Sequence, residues 1–143
     1  MKIFTIGFTQ SSAEDFFRRV RGADAKKLVD VRLNNNSQLA GFAKKNDLAY
    51  FTERLLGVPY EHRLELAPTE DMLSAFKKEK GSWVEYEKKF LTLLKSRQIE
   101  RIAPQELDDA CLLCSEAAPH HCHRRLVVEY LSEHWSGLEI VHL

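Results

Sequence analysis

At 143 residues, with 44% apolar and 29% charged side chains, the chain is long enough for one domain whose core needs neither disulfides nor a metal. Only 6 glycines and 4 prolines exclude collagen-like and low-complexity classes. Lys+Arg and Asp+Glu number 21 each, so no overall positive field draws the chain to nucleic acid or to an anionic membrane.

Three cysteines, an odd count, and an N-terminal apolar run too short for a secretory signal point to a reducing, cytoplasmic setting. No stretch approaches the roughly 18 apolar residues of a membrane span. The pattern predicts a first strand over Lys2–Ile6, ended by Gly7. Ser11-Ser12-Ala13-Glu14 reads as a capping box opening a helix that buries Phe16, Phe17 and Val20 and stops at Gly22. Lys27–Val31 reads as a second strand packed between helices. Asn34-Asn35-Asn36 marks a loop, and Asn46–Leu56 a helix closed by Gly57. Val58–Arg63 reads as a short strand near an edge, because Pro59 cannot donate to a central ladder.

Thr69 caps the next helix, with Glu70 and Asp71 in its first turn and Lys77, Lys78 and Lys80 in its last, as the helix dipole favours. Ser82-Trp83-Val84-Glu85 is a second capping box. From it Trp83, Tyr86, Phe90 and Leu94 repeat at helical spacing, a stripe that reads as core. Ala110–Ser115 is the most apolar strand, hence central. Cys122–His134 is a helix burying Leu126, Val127, Tyr130 and Leu131, and Glu139–Leu143 is a final strand. Strands alternating with helices predict an α/β fold, a mainly parallel sheet of about five strands covered on both faces.

Such sheets place ligands beyond the carboxyl ends of their strands. Polar residues gather there: Gly7 and Thr9 after the first strand, Asp30 and Arg32 after the second, Tyr60 and His62 at the third, and the run from Cys114 to Arg124 after the fourth. Gly7 would admit a ligand close to the backbone, and Thr9 offers a hydroxyl. Cys122, His123 and Arg124 fall in the first turn of the last helix, where a thiol beside Arg and His has a lowered pKa and becomes nucleophilic or metal-binding. His120, His121 and His123 are adjacent, so they cannot all point into one site. Cys111 and Cys114 match C-x-x-C as a string, yet residues three apart on a strand face opposite sides, so their sulfurs diverge.

Thr5-Ile6-Gly7, Leu28-Val29-Asp30-Val31-Arg32, Tyr60 with His62, and above all Cys114-x-Glu116-x-x-Pro119-x-x-Cys122-His123-Arg124 resemble the DUF488 family over nearly the whole chain. The family usually has His where this chain has Phe8, and a proline shortly after the arginine where this chain has its asparagine run. The resemblance implies the fold and the place of the site, and supplies no reaction. Leu28–Arg32 is also similar to a rhodanese strand, but the C-x5-R anion cradle is absent: His120 stands six residues after Cys114.

These residues support an enzyme of hydrolase or transferase type. Cys114 or Cys122 would be the nucleophile, Glu116 and His123 the acid/base groups. Gly7, Thr9, Asp30, Arg32, Tyr60, His62 and Arg124 would bind a small anionic or nucleotide-like substrate, with no cofactor. The alternative is a binding module in which Cys114, Cys122 and one of His121 or His123 hold zinc. A third reading makes a nucleic-acid patch of Arg18, Arg19, Arg21, Lys26 and Lys27, with Asn34–Asn36 reading base edges.

Overall fold

Five strands share one sheet in the order β3-β2-β4-β1-β5, and every neighbouring pair is parallel. The computed structural model describes residues 1–35, 41–116 and 118–143, so Asn36 of the asparagine loop and Ala117 of the cysteine motif lie outside the described residues. The strands are β1 (Lys2–Gly7), β2 (Lys27–Asp30), β3 (Tyr60–His62), β4 (Ala110–Cys114) and β5 (Glu139–His142). The helices are α1 (Ala13–Gly22), α2 (Lys45–Phe51), α3 (Glu70–Leu73), α4 (Trp83–Arg97) and α5 (His123–His134).

The period-2 alternation of the strands divides the interior into two cores. Phe4, Ile6, Leu28, Cys111 and Leu113 face α1 and α2, where Phe16, Phe17 and Leu48 cover them. Ile3, Val29, Leu112 and Cys114 face α4 and α5, under Phe90, Leu94, Leu126 and Val127. The architecture is therefore the expected three-layer α/β sandwich. Cys111 and Cys114 sit in opposite cores, as three-residue spacing on a strand dictates.

Local expectations hold with shifts of a residue or more. α1 is capped by Ser12, whose Oγ accepts from the Asp15 N–H at 3.1 Å, whereas Ser11 Oγ donates to the Phe8 carbonyl at 3.0 Å. The cap thus falls one residue later than the Ser11–Glu14 spacing suggests. α2 starts at Lys45 and widens into a π turn over Thr52–Leu56, and Gly57 closes it at φ 68°. α3 likewise runs into a π turn over Ser74–Lys78, which leaves Lys80 beyond the helix. β3 spans only Tyr60–His62 but lies on the edge, consistent with Pro59 just before it. Ser82 caps α4 by accepting from Val84 N at 3.1 Å and Glu85 N at 3.5 Å. Ser82→Ala is expected to cost about 1 kcal/mol, read from the urea midpoint. An unchanged midpoint would mean the cap contributes nothing.

Candidate functional site

The parallel register brings three strand ends level. Gly7 lies opposite Cys114, and Asp30 opposite Leu113. Beyond β2 the chain leaves for the α2 face; beyond β4 it leaves for the α5 face, so a crevice opens between them, as at any such switch point.

α5 enters this crevice with its N-terminal end. Cys122 is its N-cap, one position outside the first turn expected for it, and makes no side-chain cap bond. The ligating atoms of Cys114, Cys122 and His123 all lie within 4.8 Å of one another, and all three residues are buried. Cys114 Sγ is 3.5 Å from His123 Nδ1, and His123 Nε2 is 2.6 Å from the Val31 carbonyl. A carbonyl only accepts, so Nε2 carries a hydrogen and Nδ1 is the nitrogen presented to the sulfur.

The two thiols separate in character. Donation from the Cys122 thiol holds the Cys114 pKa below its ordinary value; the Ser115 backbone N–H and the Arg124 charge add to this against the opposing effect of burial. Cys122 is pushed up, first by burial and then by giving its hydrogen to Cys114. This corrects the expectation of a lowered pKa at helix-terminal Cys122: the sulfur that receives the hydrogen bonds is Cys114. Burial alone pushes Cys111 up to about 12, marking it as an inert hydrophobe.

A cavity of about 410 Å³ opens over this centre. Cys114, Cys122, His123 and Arg32 line its inner end, while Leu73, Phe76, Trp83 and Tyr86 supply an apolar, largely aromatic wall. Glu116 is at the rim, where its Oε1 pairs with Lys77 Nζ at 2.7 Å. Trp83, expected in the core, is only half-buried and stacks between Tyr86 and His121, with ring centroids 5.1 and 4.9 Å away. Its place in the first turn of α4, one turn before the buried positions, is the signal that separates it from Phe90 and Leu94.

The other expected site residues surround the cavity and do not line it. Asp30, fully buried, takes Arg32 in a two-point grip, Nε to Oδ1 at 2.8 Å and Nη2 to Oδ2 at 2.6 Å. The Tyr60 hydroxyl donates to Asp30 Oδ2 at 2.6 Å, and His62 Nε2 meets the Arg32 carbonyl at 2.6 Å. Thr9 ties β1 to the cavity loop by donating to the Ser115 carbonyl at 2.8 Å. Arg124 is buried and donates to the Glu116 carbonyl and, at 3.4 Å, to Thr5 Oγ1. Gly7 makes room for protein: a Cβ there would stand 1.7 Å from the Glu116 carbonyl oxygen. The approach expected of a ligand is filled by this backbone.

Sequence reading missed Phe76, Lys77 and Lys78 as cavity residues; their place in a π turn is a feature that frequents functional sites. In the basic cluster near α1, Arg18 and Arg19 share Asp15, Lys26 pairs with Asp24 and Lys27 with Glu61, while Arg21 donates to the Leu55 carbonyl.

No helix is long and apolar enough to cross a membrane among the described residues. No curated protein and no solved structure matches the chain. The model of a domain of unknown function, DUF488, matches residues 12–131, spanning the α1 face, the Asp30–Arg32 grip and the Cys114–Cys122–His123 centre, and the chain belongs to that family.

Proposed function

We propose that the chain is an enzyme in which the Cys114 thiolate attacks a small anionic or nucleotide-like substrate held in the 410 Å³ cavity. The observation that supports this most is a cysteine–histidine pair, 3.5 Å apart, at the inner end of a cavity with an aromatic wall. In the attack the sulfur lone pair forms the bond to substrate, and the leaving group departs with its electron pair. His123 Nδ1 takes the Cys114 thiol hydrogen as the thiolate forms and then gives it to that group. Water or a second acceptor then releases the product, so the reaction is a hydrolysis or a group transfer. Asp30, Tyr60 and His62 act through Arg32, which they position.

The test is iodoacetamide labelling against pH, resolved for each cysteine by mass spectrometry in chelator-treated protein. Cys114 is expected to label first, with an apparent pKa below the ordinary thiol value of about 8.5. Because a lowered pKa keeps the thiolate present down to that pKa, the Cys114 rate should fall off at a lower pH than that of an ordinary thiol. Cys111 and Cys122 should stay unlabelled over this range. Equally slow labelling of all three would sink the reading.

The 4.8 Å cluster favours a second reading, in which Cys114, Cys122 and His123 hold zinc and the fourth position faces the cavity. The Val31 carbonyl on His123 Nε2 would then be the outer contact that orients such a ligand. About one equivalent of zinc in protein purified without chelator would support this reading, and less than about 0.1 equivalent would count against it.

A further inference from the structure

Arg32 is held on one edge and unspent on the other. Nε and Nη2 are committed to Asp30, and Nη2 also donates to the Ala43 carbonyl at 2.8 Å. The Arg32 backbone N–H donates to Asp30 Oδ1 at 3.1 Å, and the guanidinium carbon lies 5.0 Å from the Phe8 ring centroid. Nη1, in contrast, is shielded from solvent and has no hydrogen-bond partner among the described residues. The residue is 3% exposed and lines the cavity.

A buried N–H without an acceptor is costly, and native structures rarely keep one without a reason. The two-point grip of Asp30 fixes the plane of the guanidinium, so Nη1 cannot swing away to find a protein carbonyl. Of the other cations near the cavity, Lys77 meets Glu116, Arg124 is spent on the Glu116 carbonyl and Thr5, and Lys78 is exposed to solvent, so Arg32 is the buried cation that lines the cavity. We propose that Arg32 Nη1 receives an anionic oxygen of the ligand, a carboxylate or phosphoryl oxygen, while the ligand's apolar or aromatic body packs against Phe76, Trp83 and Tyr86. This deepens the reading above, resting on the cavity as a substrate site, and it names the chemistry of the substrate and the nitrogen that recognises it. Charge and a fixed planar donor together select an anionic acceptor over its neutral isostere.

Two experiments test it. In the first, benzoate, benzamide and inorganic phosphate are titrated while NMR follows the Arg32 side-chain and Trp83 indole N–H signals. Benzoate and phosphate should move the Arg32 signal, and benzamide should bind about tenfold or more weakly than benzoate. In the second, Cys114 is alkylated with iodoacetate and with iodoacetamide. The S–C bond forms as the C–I bond breaks and iodide leaves. A simple thiolate reacts more slowly with iodoacetate because like charges repel. Here iodoacetate should be the faster reagent, its rate should saturate, and benzoate should compete.

Arg32→Lys keeps a charge for Asp30 but has no second planar nitrogen, so it should lose both preferences. The double variant Asp30→Asn with Arg32→Gln removes both buried charges together, and serves the same purpose if the single variant does not fold. Equal binding of benzoate and benzamide, anion binding that leaves the Arg32 signal unmoved, or a preference that survives in either folded variant would overturn the proposal. Rapid Cys114 labelling without anion preference removes the receptor and leaves the thiolate enzyme standing. Benzoate binding through Arg32 beside an inert Cys114 does the reverse.

Discussion

Replacing Asp30 by Ala is expected to destabilise the protein by about 3–5 kcal/mol, the range for removing one partner of a buried ion pair. Asp30 is fully buried and Arg32 is 3% exposed, so the guanidinium left behind cannot reach bulk water. Its remaining acceptors would be the Ala43 carbonyl at 2.8 Å and the Asn35 carbonyl at 3.5 Å, and neither carries a charge. The Tyr60 hydroxyl would lose its acceptor as well. Urea unfolding followed by circular dichroism measures the loss. Asp30→Leu with Arg32→Met should recover much of it, because a buried pair replaced by apolar groups of similar volume is often neutral. A single-variant loss below about 1 kcal/mol would show that the pair is solvated and that Arg32 is not held as described.

Gly7→Ala is the second large effect, and it acts on the site as well as on the fold. The new Cβ would lie 1.7 Å from the Glu116 carbonyl oxygen, 2.5 Å from its carbon and 3.0 Å from Arg124 Nη1. Backbone cannot yield as a flexible side chain can, so the Ser115–Glu116 segment must move, and Thr9 is bonded to that same segment. Overpacking of this kind costs about 1–3 kcal/mol, and backbone contact places this case at the upper end or beyond. Because the Ser115 N–H and the Arg124 charge both lower the Cys114 pKa, labelling of Cys114 should slow in any folded Gly7→Ala protein. Gly22→Ala is the control. Nothing lies within 4 Å of a Cβ built there, so it should match or slightly exceed the wild type in urea midpoint. Similar losses for both variants would refute the steric argument.

Much of the scaffold is legible in the chain because it is set locally. Ser12, Thr69 and Ser82 cap helices through atoms two to three residues away. The apolar run Ala110–Cys114 declares a strand buried on both faces, and Pro59 consigns its neighbour to the edge. The period of 2 separates Cys111 from Cys114 before any coordinate is known. The conversion of α2 and α3 into π turns was not legible, since the hydrophobic pattern of one turn does not distinguish them.

What tertiary structure alone decided is which of the polar residues at the strand ends meet. Insertion of β4 between β1 and β2 sets His123 against the Val31 carbonyl, 92 residues away, and puts Cys114 beside it. The same strand order turns Gly7 toward Glu116 and spends Arg124 on that carbonyl, while Arg32 keeps one nitrogen without a partner among the described residues. Which thiol has the lower pKa follows from who donates to whom across the crevice, and a motif records only that two cysteines are present. Capping and strand alternation depend on neighbours within a turn or two, so sequence pattern carries them. The site's hydrogen bonds, and the shifts they cause, depend on sheet order and register, which form only when distant segments pack.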